Sequence, residues 1–310
     1  MRELKKDEYL EYISRRSKVI IEGQEIPLDP IKVRRIVPEE SELTDLTTTV
    51  WSFPTRGNWA THKGDYRGNW APQIPRALIG MYTAPGDVVL DPMSGSGTTC
   101  IEARLLGRHC IAVDINYDAS ILTYHRLHWL EESVRNFEDM PEDIGGVLSS
   151  WSKVFHGDAR KLSLIEDSSV DLIATHPPYW KVIEYSSKCL EGDLSCANTL
   201  ESYLELISEV AKELYRVLKP GKYLGILVGD TRIRKHYVPI THHVMNAFLK
   251  EGFILKEEVV KVQHKMKATR EIWSRSRNRN FLLIYHEKLY IFRKPGEEKL
   301  SGYKYSMALK

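Results

Sequence analysis

Two short segments of the sequence carry residue types that can do chemistry together. The first is His176-Pro177-Pro178-Tyr179, in which an imidazole, two prolines and an aromatic ring follow one another. Prolines fix φ and have no N–H, so the carbonyl groups of such a turn are rigidly held. An aromatic ring beside them can stack on a base. The motif is typical of a site that holds a planar amino group between hydrogen-bond acceptors and a ring.

The second segment is a glycine-rich turn that lies about 80 residues earlier. It follows the apolar run Val88-Val89-Leu90 and reads Asp91-Pro92-Met93-Ser94-Gly95-Ser96-Gly97-Thr98-Thr99. Glycines let the backbone approach a ligand closely, and the helix predicted to begin at Thr98 offers unpaired N–H groups. The turn predicts a nucleoside-cofactor site that uses Asp91, Pro92, Met93, Gly95, Gly97, Thr98 and Thr99. A dinucleotide site is the competing interpretation, but neither Gly-x-Gly-x-x-Gly nor a triphosphate-binding loop is present.

Two further aspartates follow later apolar runs. Asp114, about 17 residues past Gly97, can accept hydrogen bonds from both hydroxyls of a ribose, and Asp158 can accept one from an adenine amino group. One such aspartate alone would more simply be a helix N-cap or a turn residue. Three at successive strand ends instead predict a cofactor site that also includes the neighbours Ile115 and Ala159.

The elements that must position these residues alternate between strand and helix. Predicted strands cover residues 88–90, 109–113, 152–156, 170–174, 223–228, 253–262 and 289–293, and the main predicted helices cover 73–83, 98–106, 200–218 and 239–250, with a further long helix that ends near residue 136. This alternation predicts an α/β fold with a doubly wound, mostly parallel sheet. Ligands bind such sheets at the carboxyl ends of the strands, where Asp91, Asp114, Asp158 and His176 all fall.

The sequence divides into a predicted N-terminal extension (1–50), a main domain (51–295) and a C-terminal tail (296–310). The residue pattern of the extension predicts a short helix from Lys5 to Arg16 and two strands around Gly23. It either caps the core or contacts nucleic acid through Lys5, Lys6, Arg15, Arg16 and Lys18. In the main domain, Gly57-Asn58-Trp59-Ala60 recurs as Gly68-Asn69-Trp70-Ala71, and these tryptophans either stack on a base or cofactor or pack onto the core.

The motifs resemble those of the amino-methyltransferases that modify adenine N6 or cytosine N4. Leu90 to Thr99, with Ala112-Val113-Asp114, is similar to their first two motifs, and His176 to Tyr179 resembles their catalytic motif; the similarity covers about residues 70 to 293. The resemblance implies a class I methyltransferase (Rossmann-like) fold, whose seven-stranded sheet has an antiparallel last strand, and S-adenosylmethionine as cofactor. It also implies that the His176 side chain and the Pro177 carbonyl accept the two N–H groups of an exocyclic amine while Tyr179 stacks on the base.

His176 is a departure from this family, because members that act on DNA usually have Asp, Asn, Ser or Thr at that position. A neutral imidazole accepts through one nitrogen only, and its bulk favours the smaller base, cytosine. We expect activity to fall on the acid side near the reference histidine pKa of about 6.5. Among these enzymes the chain looks most similar to archaeal ones that methylate cytidine N4 in small-subunit ribosomal RNA.

A basic segment between the last two predicted strands is the candidate nucleic-acid surface. It contains Lys261, Lys265, Lys267, Arg270, Trp273, Arg275, Arg277 and Arg279, opposed only by Glu271. The strand before it runs parallel, so the segment should emerge on the active-site face; the alternative is a solvated charge run. No long insertion is present to read a duplex in its major groove, which favours structured RNA. A DNA methyltransferase, a non-catalytic RNA-binding factor and a methyltransferase of protein glutamines are the other interpretations.

Composition sets broader expectations. The formal net charge is +2, so affinity for a polyanion must come from a local patch. The four cysteines, Cys100, Cys110, Cys189 and Cys196, show no metal-ligand spacing and are predicted to be reduced thiols, and no metal site is expected. The sequence shows neither an apolar signal core nor a membrane-spanning run, which predicts a cytoplasmic protein. Only three glutamines occur among many charged residues, a tendency of thermophile proteins.

Overall fold

The computed structural model describes residues 1–44, 46–136, 145–180, 189–264, 277 and 280–308. Its strands are β1 (Arg2–Glu3), β2 (Lys18–Ile21), β3 (Gln24–Pro27), β4 (Val50–Ser52), β5 (Val88–Asp91), β6 (His109–Asp114), β7 (Ser152–His156), β8 (Val170–Thr175), β9 (Leu218–Val228), β10 (Thr231–Ile233), β11 (His236–Val238), β12 (Ile254–Val262) and β13 (His286–Arg293). Its α-helices are α1 (Lys6–Arg15), α2 (Gln73–Tyr82), α3 (Thr98–Leu105), α4 (Tyr117–Arg135), α5 (Gly145–Ser149), α6 (Leu200–Val217) and α7 (Ile240–Lys250).

The main sheet has the order β1-β7-β6-β5-β8-β9-β13-β12-β4. Strands β7, β6, β5, β8 and β9 are parallel to one another, and β13 is antiparallel to both of its neighbours. This confirms the doubly wound class I methyltransferase fold with its seven central strands. Two short strands extend the sheet at its edges, β1 beside β7 and β4 beside β12. They were not predicted, because a strand of two or three residues is too short to show an alternation of apolar and polar side chains.

Both faces of the sheet are buried, which explains the near-continuous apolar strands. Successive side chains of a strand point to opposite faces. Val89 packs in the cluster formed with α2, α3 and α4, whereas Leu90 packs in the cluster formed with α6 and α7. Leu172 and Ile173 of β8 divide in the same way. Helices on both faces leave the two ends of the strands as the places where a ligand can reach the sheet.

The N-terminal segment lies against the main sheet and its helices. Strand β1 pairs with β7, and Tyr9 of α1 is fully buried with its hydroxyl 2.9 Å from His125 Nδ1. The Tyr12 hydroxyl donates to Asp118, also on α4, over 2.9 Å. These contacts are those of a segment that covers the core. The division at residue 50 stays a prediction.

The cysteines form two disulfides, so the prediction of four reduced thiols is wrong. Cys100 pairs with Cys110, and Cys189 pairs with Cys196, with Cα atoms 5.4 and 5.7 Å apart. The spacing of residues along the chain could not show that α3 places Cys100 beside Cys110 on β6. No helix in the described ranges is both long enough and apolar enough to cross a membrane.

Candidate active site

The glycine-rich turn is built around the buried carboxylate of Asp91 at the end of β5. This carboxylate accepts hydrogen bonds from the Thr99 hydroxyl at 2.5 Å, the Thr175 hydroxyl at 3.0 Å and the Met93 N–H at 3.2 Å. Burial raises the pKa of Asp91 to about 6. Asp91 and Thr99 therefore hold the turn in shape and tie β5 to the end of β8.

Gly95 and Gly97 allow the close approach that the turn requires. Both have positive φ, 52° and 81°, a region that residues with a side chain rarely adopt. A Cβ at Gly95 would lie 3.0 Å from the ring of Tyr66, and one at Gly97 would lie 3.0 Å from Thr123. Gly95 borders the pocket described below, whereas Gly97 packs against α4 and begins α3.

Asp114, at the end of β6, is held in place by two backbone N–H groups. Gly95 N–H donates to one of its oxygens over 2.7 Å, and Asn116 N–H donates to the other over 2.8 Å. Burial raises the pKa of Asp114 to about 7. Each carboxylate oxygen can accept more than one hydrogen bond, so this fixed side chain can also receive donors from a ligand.

Asp158, after β7, forms an ion pair with Arg160. The guanidinium donates to both carboxylate oxygens over 2.6–3.1 Å, and the Arg160 N–H donates to one of them over 2.8 Å. Gly192 lies against this pair, because a Cβ there would come within 2.6 Å of Asp158 and 2.1 Å of Arg160. The pairing with Arg160 and the contact with Gly192 were not foreseen from the sequence.

The ends of these strands line one pocket, whose volume is about 820 Å³ when the space at its open mouth is included. Predicted residues that line it are Asp91, Pro92, Met93, Gly95, Asp114, Ile115, Asp158, Ala159, His176 and Pro178. Five predicted residues do not line it, namely Gly97, Thr98, Thr99, Pro177 and Tyr179. Lining residues that sequence reasoning missed include Tyr66, Asn116, Arg160, Asp193 and Leu194. Asn116 could have been recognised, since it is the N-cap of α4 directly after the aspartate.

The His176-Pro177-Pro178-Tyr179 turn follows β8 and is fixed at both ends. Thr175 bonds to Asp91, and the Pro178 carbonyl accepts the Tyr203 hydroxyl at 3.1 Å. The Tyr179 ring packs against the end of β9, where a Cβ on Gly229 would approach it to 2.7 Å. The turn is therefore rigid and lies at the carboxyl edge of the sheet, beside the glycine-rich turn.

Four polar side chains form a continuous chain behind this turn. His176 Nε2 lies 2.5 Å from the Tyr179 hydroxyl, and that hydroxyl donates to Glu287 over 2.8 Å. The Lys261 ammonium lies 2.8 Å from the other oxygen of Glu287. Lys261 and Glu287 face each other on β12 and β13, and their side chains are only 17% and 8% exposed. Burial raises the pKa of Glu287, but the Lys261 ammonium, with the Tyr179 hydroxyl, more than offsets this and holds it below the usual range.

His176 is held neutral by its surroundings. Burial lowers its pKa to about 4, with smaller opposing contributions from Glu287 and the Gly68 backbone. The reference value of 6.5 belongs to a solvated imidazole, so burial moves the expected acid limit of activity below it; that limit stays a prediction. Its Nδ1 is buried and has no hydrogen-bond partner of acceptable geometry among the described residues.

The two tryptophans of the repeated Gly-Asn-Trp-Ala string have different surroundings. Trp59 is fully buried and donates to Glu102 over 2.7 Å, in a cluster where His62 and Arg76 contact the same carboxylate. Trp70 lines the pocket and stacks on His176, with ring centroids 5.8 Å apart and planes 19° apart. One copy of the string belongs to the core and the other to the candidate site.

The basic segment is described only in part. Strand β12 runs in the same direction as β9, so Val262 ends at the active-site edge of the sheet as predicted. Lys261, predicted to contact phosphate, is instead directed at Glu287, and Arg277 is exposed. Lys265, Lys267, Arg270, Trp273, Arg275 and Arg279 lie outside the described residues.

The sequence of this chain is similar to a known methyltransferase family and to several known methyltransferases. The N6/N4 methyltransferase family, described as DNA methylase, matches residues 4–122 and 170–308. A tRNA (guanine(10)-N2)-dimethyltransferase of Methanothermobacter thermautotrophicus is 31% identical over 115 residues, which are 37% of this chain and 29% of that protein. The type II methyltransferase M.BglII of Bacillus subtilis is 27% identical over 170 residues, which are 52% of this chain and 41% of that protein. The chain thus spans less than half the length of these relatives.

A solved structure is similar over a longer part of the chain. It is a SAM-dependent methyltransferase from Methanosarcina mazei, 18% identical, which covers 71% of this chain and 98% of its own with a TM-score of 0.44. A putative DNA modification methylase from Thermus thermophilus, solved with S-adenosyl-L-methionine, is 27% identical over 46% of this chain and 55% of its own, with a TM-score of 0.34.

Proposed function

The chain belongs to the N6/N4 family of DNA methylases, and from that premise we propose that it transfers methyl groups from S-adenosylmethionine to an exocyclic amine of a nucleic-acid base. The favoured target is N4 of cytidine in structured RNA. The observation that carries the proposal is that the glycine-rich turn, Asp114 and Asp158 line the same pocket as His176 of the Pro-Pro-Tyr turn.

The pocket has the chemistry that a nucleoside cofactor with a charged amino-acid moiety needs. Gly95 brings backbone close to the ligand space. Two N–H groups hold the Asp114 carboxylate at the pocket wall, where it could accept the hydroxyls of a ribose. Asp158 and Ala159 border the same pocket from the end of β7, which suits the adenine ring. Bound S-adenosylmethionine would supply the electrophilic methyl group on its sulfonium.

The protein's own contribution to the transfer is to hold the amine. The lone pair of an exocyclic amine is delocalised into its ring, so the nitrogen is a poor nucleophile until both N–H groups are held by acceptors. His176 Nδ1 and the Pro177 carbonyl are the acceptors in this proposal, and the neutral state of His176 keeps Nδ1 able to accept. Most of the rate then comes from alignment of the amine with the methyl group and from exclusion of water.

RNA is favoured as the substrate for two reasons. His176 stands where family members that act on DNA usually carry Asp, Asn, Ser or Thr, which speaks against a DNA substrate, and its bulk favours the smaller base, cytosine. A relative with 31% identity in the matched segment is named as a tRNA base methyltransferase. The second candidate function is cytosine-N4 or adenine-N6 methylation of DNA, which the family description and the type II relatives support.

A transfer assay with purified protein tests the proposal. The protein is incubated with methyl-labelled S-adenosylmethionine and, separately, with ribosomal RNA, transfer RNA and duplex DNA, and digested nucleosides are identified by mass spectrometry. We expect N4-methylcytidine in ribosomal RNA. Label in DNA alone would support the second candidate, and label in no nucleic acid would contradict both.

A further inference from the structure

The hydrogen-bond chain behind the catalytic turn contains two residues that no motif includes. We propose that the Lys261–Glu287 pair, acting through Tyr179, fixes which ring nitrogen of the catalytic histidine carries the proton. Lys261 and Glu287 are positioning residues, since neither lines the pocket and the hydrogen bonds of the described residues connect them through Tyr179 to His176, which does. The inference rests on the proposed function in one respect, namely that Nδ1 of His176 faces the target amine.

The argument follows the single hydrogen of the Tyr179 hydroxyl. This oxygen lies 2.8 Å from a Glu287 oxygen and 2.5 Å from His176 Nε2, and it can donate to only one of them. Glu287 is ionised, because the positive charge of Lys261 on the neighbouring strand stabilises its carboxylate and holds its pKa below the usual range. A carboxylate accepts more strongly than a neutral imidazole, so the hydroxyl donates to Glu287. His176 must then donate its Nε2–H to the Tyr179 oxygen.

The other tautomer has the weaker partner. The Gly68 backbone acts on the imidazole, but Nδ1 forms no hydrogen bond of acceptable geometry with any residue that the structure describes. A proton on Nδ1 would also require Tyr179 to turn its hydrogen away from the carboxylate of Glu287. With the proton on Nε2, Nδ1 keeps its lone pair and is the acceptor that an amine N–H needs. The ion pair on β12 and β13 thus sets the chemistry of a residue on the loop after β8.

The tautomer can be read directly by nitrogen-15 NMR of the full-length protein with labelled histidine. The chain has 11 histidines, and comparison with His176→Ala identifies the resonances of His176. We expect a protonated Nε2 and an unprotonated Nδ1 at neutral pH. A protonated Nδ1 in the wild-type protein would overturn the inference. Because this spectrum needs no turnover, it is independent of whether any base is methylated.

Glu287→Gln tests the cause. The amide oxygen should turn to the Lys261 ammonium and its NH2 to Tyr179, so that the hydroxyl donates to His176 and the proton moves to Nδ1. We expect kcat to fall about tenfold to hundredfold, which is the scale for loss of a residue that orients a functional side chain by hydrogen bonding. The KM for nucleic acid should change little. Glu287→Asp keeps the charge and should retain the wild-type tautomer and more activity than Glu287→Gln.

A neighbouring ion pair provides the matched control. Glu258 and Lys288 also pair across β12 and β13, 2.9 Å apart, and lie outside the hydrogen-bond chain. Glu258→Gln should leave the His176 spectrum and kcat unchanged. If Glu287→Gln does not fold, Tyr179→Phe interrupts the same chain and should also remove the tautomer preference. A wild-type spectrum for His176 in either folded variant would overturn the inference.

Discussion

The indole ring of Trp70 stacks on the imidazole of His176, with ring centroids 5.8 Å apart and planes 19° apart. Trp70 is only 5% exposed, and the two rings border the same pocket as the glycine-rich turn. The stacking fixes the plane of the imidazole, while the hydrogen bond to Tyr179 fixes its rotation. Together they orient Nδ1.

Trp70→Ala and Trp59→Phe should therefore have different effects. Trp70→Ala frees the imidazole plane, so we expect a lower kcat with S-adenosylmethionine affinity retained. Trp59→Phe removes one donor from the buried Glu102, which should lower the free energy of unfolding by about 1–3 kcal/mol and leave kcat of the folded enzyme unchanged. Denaturant titrations and steady-state kinetics on both variants make the comparison. Equal losses of kcat in the two variants would contradict the assignment.

Asp114→Ala should weaken cofactor binding. The variant loses the charge-assisted hydrogen bonds to the ribose, which are worth roughly 1.5–3 kcal/mol. Calorimetry with S-adenosylmethionine measures the change. Asp118→Ala is the control, because Asp118 bonds to Tyr12 instead of lining the pocket. Unchanged affinity in Asp114→Ala would remove Asp114 from the site.

Cofactor affinity should also depend on pH through Asp114. Burial raises the pKa of its carboxyl from the ordinary value to about 7. The ionised form, which prevails above pH 7, accepts the ribose hydroxyls and favours the sulfonium charge. Affinity should therefore rise between pH 6 and pH 8 (about one pH unit either side of the pKa). Asp114→Asn, which cannot ionise, should show a weaker pH dependence, and equal slopes would contradict this origin.

Two buried histidines should each contribute a loss of fold stability as the solution is acidified toward pH 4. Burial lowers the pKa values of His176 and His125 to about 4, below the ordinary 6.5. Between these two values each histidine binds a proton in the unfolded chain but not in the folded protein, so its contribution to stability is lost as pH falls through this window. The raised pKa values of Asp91 and Asp114 act in the opposite sense. His125→Gln should reduce the loss between pH 6.5 and pH 4.5, measured by denaturant unfolding at each pH. An unchanged loss in that variant would exclude His125 as a source.

Binding to RNA should depend on the basic segment between β12 and β13. Replacement of Arg275, Arg277 and Arg279 by Ala should flatten the dependence of log K on log salt, by about 0.7 for each phosphate of single-stranded RNA that the variant no longer neutralises. The double variant Lys5→Ala/Arg15→Ala tests the N-terminal extension in the same assay. An unchanged slope in the triple variant would show a solvated charge run, and a flattened slope in the double variant would show that the extension contacts RNA.

The sequence was sufficient to predict the fold and the strand ends that meet in the pocket. Asp91, Asp114, Asp158 and His176 could be placed together because parallel strands end at one edge of the sheet. Lys261 and Glu287 could not be linked to Tyr179, since their contact depends on the register of β12 against β13. Neither could the sequence show that Trp59 enters the core while Trp70 enters the site, because both occur in the same four-residue string. The pKa of His176 likewise required its burial to be known.

The central claim is that His176 holds an exocyclic amine of a nucleic-acid base for methylation. The most direct measurement is nucleoside mass spectrometry of ribosomal RNA and DNA from cells that carry the wild-type gene, the His176→Ala gene or neither. We predict N4-methylcytidine in ribosomal RNA only with the wild-type gene, and a loss of about 10²–10³ in rate for the purified variant, the scale for one oriented catalytic hydrogen bond. Identical base methylation with the wild-type and His176→Ala genes, or no gene-dependent methylated base in either nucleic acid, would contradict the account.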